Sequence, residues 1–193
     1  MFWTPAYISD VYGFSTDTPT AQMLIFVLYA ITMLSIYGGK LPTIIINKTG
    51  KDPYSARMRA MFIFALFPLL ALFAQPLGYY SYWYPIVIIG IVGAAHQSWS
   101  ANIYSVVSDM FPHQAVATVT GFGQMAGGIS SFLINKGSGA LFDHAEMTRL
   151  TFMGFEGKAA GYFIIFCICA VAYLAGWCIM KALVPTYKPI IVE

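Results

Sequence analysis

The stretch Tyr84–Phe111, YPIVIIGIVGAAHQSWSANIYSVVSDMF, decides what kind of protein this is. Its only formal charge is Asp109, near its far end; every residue before that is apolar, small or neutral-polar. A helix crosses the hydrocarbon core of a bilayer with roughly 20 predominantly apolar residues. Pro85 suits the first turn, where a missing N–H costs nothing, and Pro112 marks the end. The stretch therefore reads as a transmembrane helix.

Working outward, four more segments have the same character: 21–41 and 60–80 before it, 115–142 and 159–183 after it. Residues 1–9 read as the stub of a further helix that opens mid-element, with no basic, apolar and small-residue order of a cleavable leader. The expected fold is all-α: a polytopic membrane helix bundle of about five complete transmembrane helices plus an N-terminal stub, forming one lobe over 1–193. Composition agrees, since 59% of the 193 residues are hydrophobic and 9% are charged. Soluble domains carry about 25% charged residues. Pro68 falls inside the second segment and predicts a kink.

Charge placement predicts sidedness. Lys40, Lys48, Lys51, Arg57 and Arg59 follow the first helix, and Lys181 and Lys188 close the chain. Five antiparallel crossings put both groups on one side, which the excess of cations makes cytoplasmic. Asp10, Asp17 and the segment 143–158 fall opposite, as does the aromatic turn Tyr79, Tyr80, Tyr82, Trp83 and Tyr84, whose rings favour the headgroup level. The net charge of +2 is unclustered, which excludes a nucleic-acid groove. Cys167, Cys169 and Cys178 share one apolar segment and read as small hydrophobes. Neither a phosphate-binding glycine loop nor an H-E-x-x-H motif occurs, so no cofactor, metal or enzymatic chemistry is expected.

The polar groups in mid-membrane are the informative ones. His96, Gln97, Ser98, Trp99, Ser100 and Asn102 lie near the centre of the third helix. At 100° per residue Ser98, Asn102, Ser105 and Asp109 share a stripe, with His96 and Ser100 on an adjoining face. Such residues often bond a neighbouring helix, for about 0.6 kcal/mol each. Several at one depth, beside a tryptophan far from the interface, instead suit a solute site; both readings stand at this point. Gln124 lies in the glycine run of the fourth helix, about 9 Å to the cytoplasmic side of its midpoint. Asn102 lies about 7.5 Å to the same side of its own midpoint. The matched depths would let both touch one solute. Gly123 and Gly127 form a small-xxx-small pair suited to close helix packing. Lys40 and Lys136 sit where a long side chain reaches an interface.

Gly38-Gly39-Lys40-Leu41-Pro42 with Lys48-Thr49-Gly50 and Ala56-Arg57 resembles the cytoplasmic signature between the eighth and ninth helices of the major facilitator superfamily. His96-Gln97-Ser98-Trp99-Ser100-Ala101-Asn102, followed by Ser108-Asp109-Met110-Phe111-Pro112, resembles the tenth helix of its anion:cation symporter family, in particular the hexuronate transporters. Gly121-Phe122-Gly123-Gln124-Met125-Ala126-Gly127-Gly128 is similar to that family's eleventh helix, and Trp3-Thr4-Pro5-Ala6-Tyr7 to the outer part of its seventh.

The resemblance implies the C-terminal half of a twelve-helix fold that imports a sugar acid or related organic anion by alternating access, coupled to a proton or another cation. It implies that Gln97, Ser98, Trp99 and Asn102 line the central cavity and that Gln124 meets substrate hydroxyls. It also implies a partner lobe of six helices, which holds the family's carboxylate-reading arginine and coupling acids. Thr43 stands where relatives commonly carry Asp, which removes one expected charge pair at the cytoplasmic gate.

Overall fold

Proline and polar punctuation divides the apolar sequence into helices in the computed structural model, which describes residues 3–188. α1 is Thr4–Tyr12, α2 Pro19–Thr49, α3 Pro53–Gly78, α4 Trp83–Met110, α5 His113–Thr148 and α6 Lys158–Leu183. Two short strands, β1 Thr151–Phe152 and β2 Phe155–Glu156, pair antiparallel between α5 and α6. Residues 1 and 2 of the expected stub lie outside the described residues.

The first two long helices reach further than the expected 21–41 and 60–80. α2 does not stop at Leu41-Pro42 but continues to Thr49, with a 3-10 stretch at Met33–Lys40 ahead of Pro42. A proline just after such a stretch takes a first-turn position, where its missing N–H is not needed. α3 starts at Pro53 because Asp52 caps it: the carboxylate accepts the Ser55 N–H at 2.8 Å. The connection between α2 and α3 is therefore only residues 50–52, and Arg57 and Arg59 stand on α3 itself. Pro68 falls in a second 3-10 stretch, Phe67–Leu70, which relieves the clash a proline ring would make with the preceding turn.

α5 has 36 residues against the expected 115–142, and its end takes up residues 143–148 of the expected 143–158 loop. The rest of that loop is a hairpin, with Thr151 opposite Glu156 and Phe152 opposite Phe155. Its turn residues Met153 and Gly154 have φ of +51° and +86°, the paired left-handed values that a two-residue hairpin turn needs. Phe152 and Phe155 both rest on Phe163 of α6.

Among the described residues, four helices are long and apolar enough to cross a membrane: α2, α3, α4 and α6. The expected five includes α5, which has the length but is diluted by Gly121, Gly123, Gln124, Ser130, Ser131, Asn135 and Lys136. Two cores hold the bundle. Tyr7, Leu24, Leu28, Ile86, Phe142 and Tyr162 join α1 to the starts of α2, α4 and α6 and to the far part of α5. Tyr54, Met58, Met61, Val106 and Met110, with Trp177 and Met180 against them, join the start of α3 to the ends of α4 and α6. Successive long helices thus run in alternating directions, and the 50–52 turn shares one end of the bundle with the segment after Leu183. At that end the Tyr187 hydroxyl donates to the Asp109 carbonyl at 3.2 Å.

Candidate functional site

α4 is the central helix, packed against α2 and α3 and meeting α6 through long side chains, and its faces separate the six residues singled out from sequence. Ser98 and Asn102 turn inward, 3% and 1% exposed. The Ser98 hydroxyl donates to its own helix at the Ala94 carbonyl, 2.8 Å, and lies 3.4 Å from the Ser35 carbonyl of α2. It packs directly over Gly38, where an added Cβ would stand 1.9 Å from Ser98 Oγ. That glycine is what lets α2 and α4 approach so closely. Asn102 donates from Nδ2 to the Ser98 carbonyl at 2.8 Å, while its Oδ1 has no partner among the described residues. Ser105 and Ser108 likewise bond back to α4 itself.

Gln97, at the middle of α4, is exposed, and so are Ala101, Tyr104 and Ser108 at the helical spacing that follows it. His96, also exposed, is hydrogen-bonded through Nδ1 to the hydroxyl of Tyr173 on α6. Trp99 stands edge-on to the same Tyr173, ring centroids 5.4 Å apart, with its Nε1–H buried and unpartnered among the described residues. Tyr173 thus ties together two of the sequence-derived residues. Its signal was legible, a hydroxyl midway along the apolar segment 159–183, but only the tertiary structure shows which groups of α4 it meets.

Gln124 is exposed, as is every residue from Gly121 to Ile134 on α5. A cavity of about 340 Å3 separates α4 from α5, lined by Ser100, Ile103, Tyr104, Val119, Thr120 and Gly123 among others. Neither Asn102 nor Gln124 lines it, so matched depth along two helices does not bring the two amides together. The physical reason is rotation about the helix axis: Asn102 faces the buried side of α4.

Charge pairs stand at both ends. Arg57 of α3 donates to Asp109 of α4 at 2.5 Å. At the opposite end Lys158 of α6 meets Asp10 of α1 at 3.1 Å, and the Tyr162 hydroxyl donates to the second Asp10 oxygen at 2.8 Å. Neither pair was read from sequence, because partners 52 and 148 positions apart leave no local spacing to recognise.

Long apolar helices carrying uncovered polar groups between their ends define a multi-pass membrane protein. The sequence matches the model of the Major Facilitator Superfamily over residues 1–134, and the chain belongs to that superfamily. Its members are transporters rather than enzymes, and they act on small-molecule substrates in the lipid bilayer. The match takes in α1 to α4 and the first part of α5. No curated protein and no solved structure matches the chain.

Proposed function

We infer that the chain serves as one lobe of a cation-coupled importer of organic anions of the sugar-acid class, a hexuronate or close relative. The observation that carries this reading is the uncovered polar set around mid-membrane: Gln97, the His96–Tyr173 pair and the neighbouring Trp99, with Gln124 on the uncovered helix α5. Amides and hydroxyls can pair a polyol in both donor and acceptor sense, and an indole can cover the apolar face of a sugar ring. In this reading Gln97, Trp99, His96 and Gln124 contact substrate. Ser98 and Asn102 act differently: both are sealed inside the bundle, and Ser98 holds α4 against α2 so that the contacting residues face outward.

The carboxylate and the coupling proton fall to a partner lobe of six helices. The uncovered stretch Gly121–Ile134 of α5 supports such a partner, since a helix of this length left unpacked in one lobe is suited to packing against another. The cation-rich end, with Lys48, Lys51, Arg57, Arg59 and Lys181, is assigned to the cytoplasm of the cell membrane by the excess of positive charge.

Uptake of labelled glucuronate and galacturonate tests the reading, in cells expressing this chain with a six-helix partner lobe and in cells expressing it alone. Uptake only with the partner, abolished by collapsing the proton gradient, is the expected result. A well-expressed pair that moves neither acid sinks the sugar-acid assignment. A second reading, a non-transporting scaffold, draws on the sealed positions of Ser98 and Asn102. It predicts that substitutions at Gln97 and Gln124 leave every uptake assay unchanged.

A further inference from the structure

α1 meets α5 and α6 across a cavity of about 410 Å3. Small-molecule sites fall in this size range and combine largely apolar walls with a few placed polar groups. One wall is the α5 face bearing Ser131, Asn135 and Ser138, residues whose spacing of four and three aligns them in a row. Across from it stand Trp3, Tyr162 and Phe166.

The polar row has capacity to spare. Asn135 donates from Nδ2 to the Ser131 carbonyl at 2.8 Å and to the Ser131 hydroxyl at 3.2 Å. That leaves Asn135 Oδ1 to accept, and the Ser131 hydroxyl proton to be donated. Ser138 is 2% exposed and its hydroxyl has no partner among the described residues; the same holds for the buried Nε1–H of Trp3. Buried polar groups are nearly always partnered, so an orphan on each side of the cavity points to a partner that brings its own hydrogen-bonding atoms.

Charge narrows the class. None of the described residues lining the cavity is charged. Asp10 and Lys158, joined to it through the Tyr162 hydroxyl, already neutralise each other. An anion would lose its hydration here without a counter-charge. A neutral ring bearing hydroxyls meets both walls, its flat apolar face on the aromatic side and its hydroxyls on the α5 row.

We propose that this cavity binds a neutral hydroxylated ring of the hexopyranose type, at a site separate from the α4 face and independent of the anion reading. The ring can arrive as a free sugar or as the headgroup of a glycolipid. Saturation-transfer NMR on the purified full chain, in a detergent without sugar groups, reads this with methyl β-glucoside and octyl β-glucoside as probes and cyclohexylmethanol as the apolar control. Gly127 borders the cavity and a Cβ there meets nothing within 4 Å, so Gly127→Leu fills the space without a clash at its first carbon. Binding is expected to weaken at least about tenfold in Gly127→Leu and in Asn135→Leu, the scale set by losing one or two buried hydrogen bonds. Trp3→Phe, which keeps a ring and removes the donor, gives a second reading should Asn135→Leu fail to fold. Transfer to both glucosides identifies a free-sugar site; transfer to the octyl glucoside alone identifies a glycolipid headgroup site. No transfer to either, equal binding in the filled variant, or binding of cyclohexylmethanol as tight as that of the glucosides overturns the proposal.

Discussion

Arg57 Nε donates to Asp109 at 2.5 Å, and this pair fastens the first turns of α3 to the last turn of α4. A second contact, from Nη2 to the other carboxylate oxygen at 3.5 Å, makes the guanidinium straddle the carboxylate. Both side chains are about a quarter exposed, at 24% and 22%. The pair lies beside the core of Tyr54, Met58, Val106 and Met110.

Such partial exposure sets the size of the effect between a surface pair and a sealed one. Arg57→Ala and Asp109→Ala should each lower stability by about 1–2 kcal/mol, and a double-mutant cycle should return a coupling of about 1 kcal/mol. Reversible unfolding in mixed micelles measures it. Strictly additive losses would show that the pair contributes nothing beyond each residue's own packing.

Gly38→Ala tests the close approach of α2 to α4. The new methyl would stand 1.9 Å from Ser98 Oγ and 2.3 Å from Ser98 Cβ, so the helices must separate. Overpacking of this kind costs about 1–3 kcal/mol. Ser98→Gly in the same chain removes both clashing atoms and should restore much of the loss. A single variant as stable as the parent would show that the crossing is looser than the geometry states.

Contact and packing residues should separate in transport assays made with the partner lobe. Gln97→Ala and Gln124→Ala are expected to reduce sugar-acid uptake about tenfold or more at unchanged protein levels, the scale of one or two lost hydrogen bonds. Asn102→Ala should instead lower the amount of folded protein, because Asn102 is sealed between helices. Tyr173→Phe, which strips the hydrogen-bond partner from His96, should change uptake without changing expression. The reverse pattern, with Asn102 sparing expression and Gln97 destroying it, would refute the assignment of faces.

Asp52 gives a pH dependence outside the membrane-spanning segments. The Ser55 hydroxyl and then the Ser55 N–H hold its carboxyl below the ordinary carboxylate value. A folded-state pKa depressed in this way contributes stability that is fully present above the unfolded value. The contribution is lost as pH falls through the folded value, so the window lies below about pH 4. Asp52→Asn should keep the cap and remove this part of the acid sensitivity, whereas Asp52→Ala should cost about 1 kcal/mol at neutral pH. Acid unfolding curves that superimpose for parent and Asp52→Asn would count against the cap as the source.

The sequence alone determined the helical class and most of the helix count, because lipid leaves a backbone few ways to satisfy its polar groups and long apolar runs announce that solution. It also put the mid-membrane polar residues on α4. Helix ends were less legible: Pro42 and Pro53 are equally consistent with stopping a helix and with sitting in its first turn, and the 3-10 stretch before Pro42 and the Asp52 cap before Pro53 decided each. Only the tertiary structure decided which polar groups are sealed and which are open, since Ser98 and Gln97 are neighbours in the chain yet one is buried and the other exposed. That outcome depends on the rotation of α4 against α2, which Gly38 permits. The pairings of Tyr173 with His96 and of Asp10 with Lys158 were beyond sequence reasoning for the same cause: contacts between helices far apart in the chain follow from packing, not from spacing.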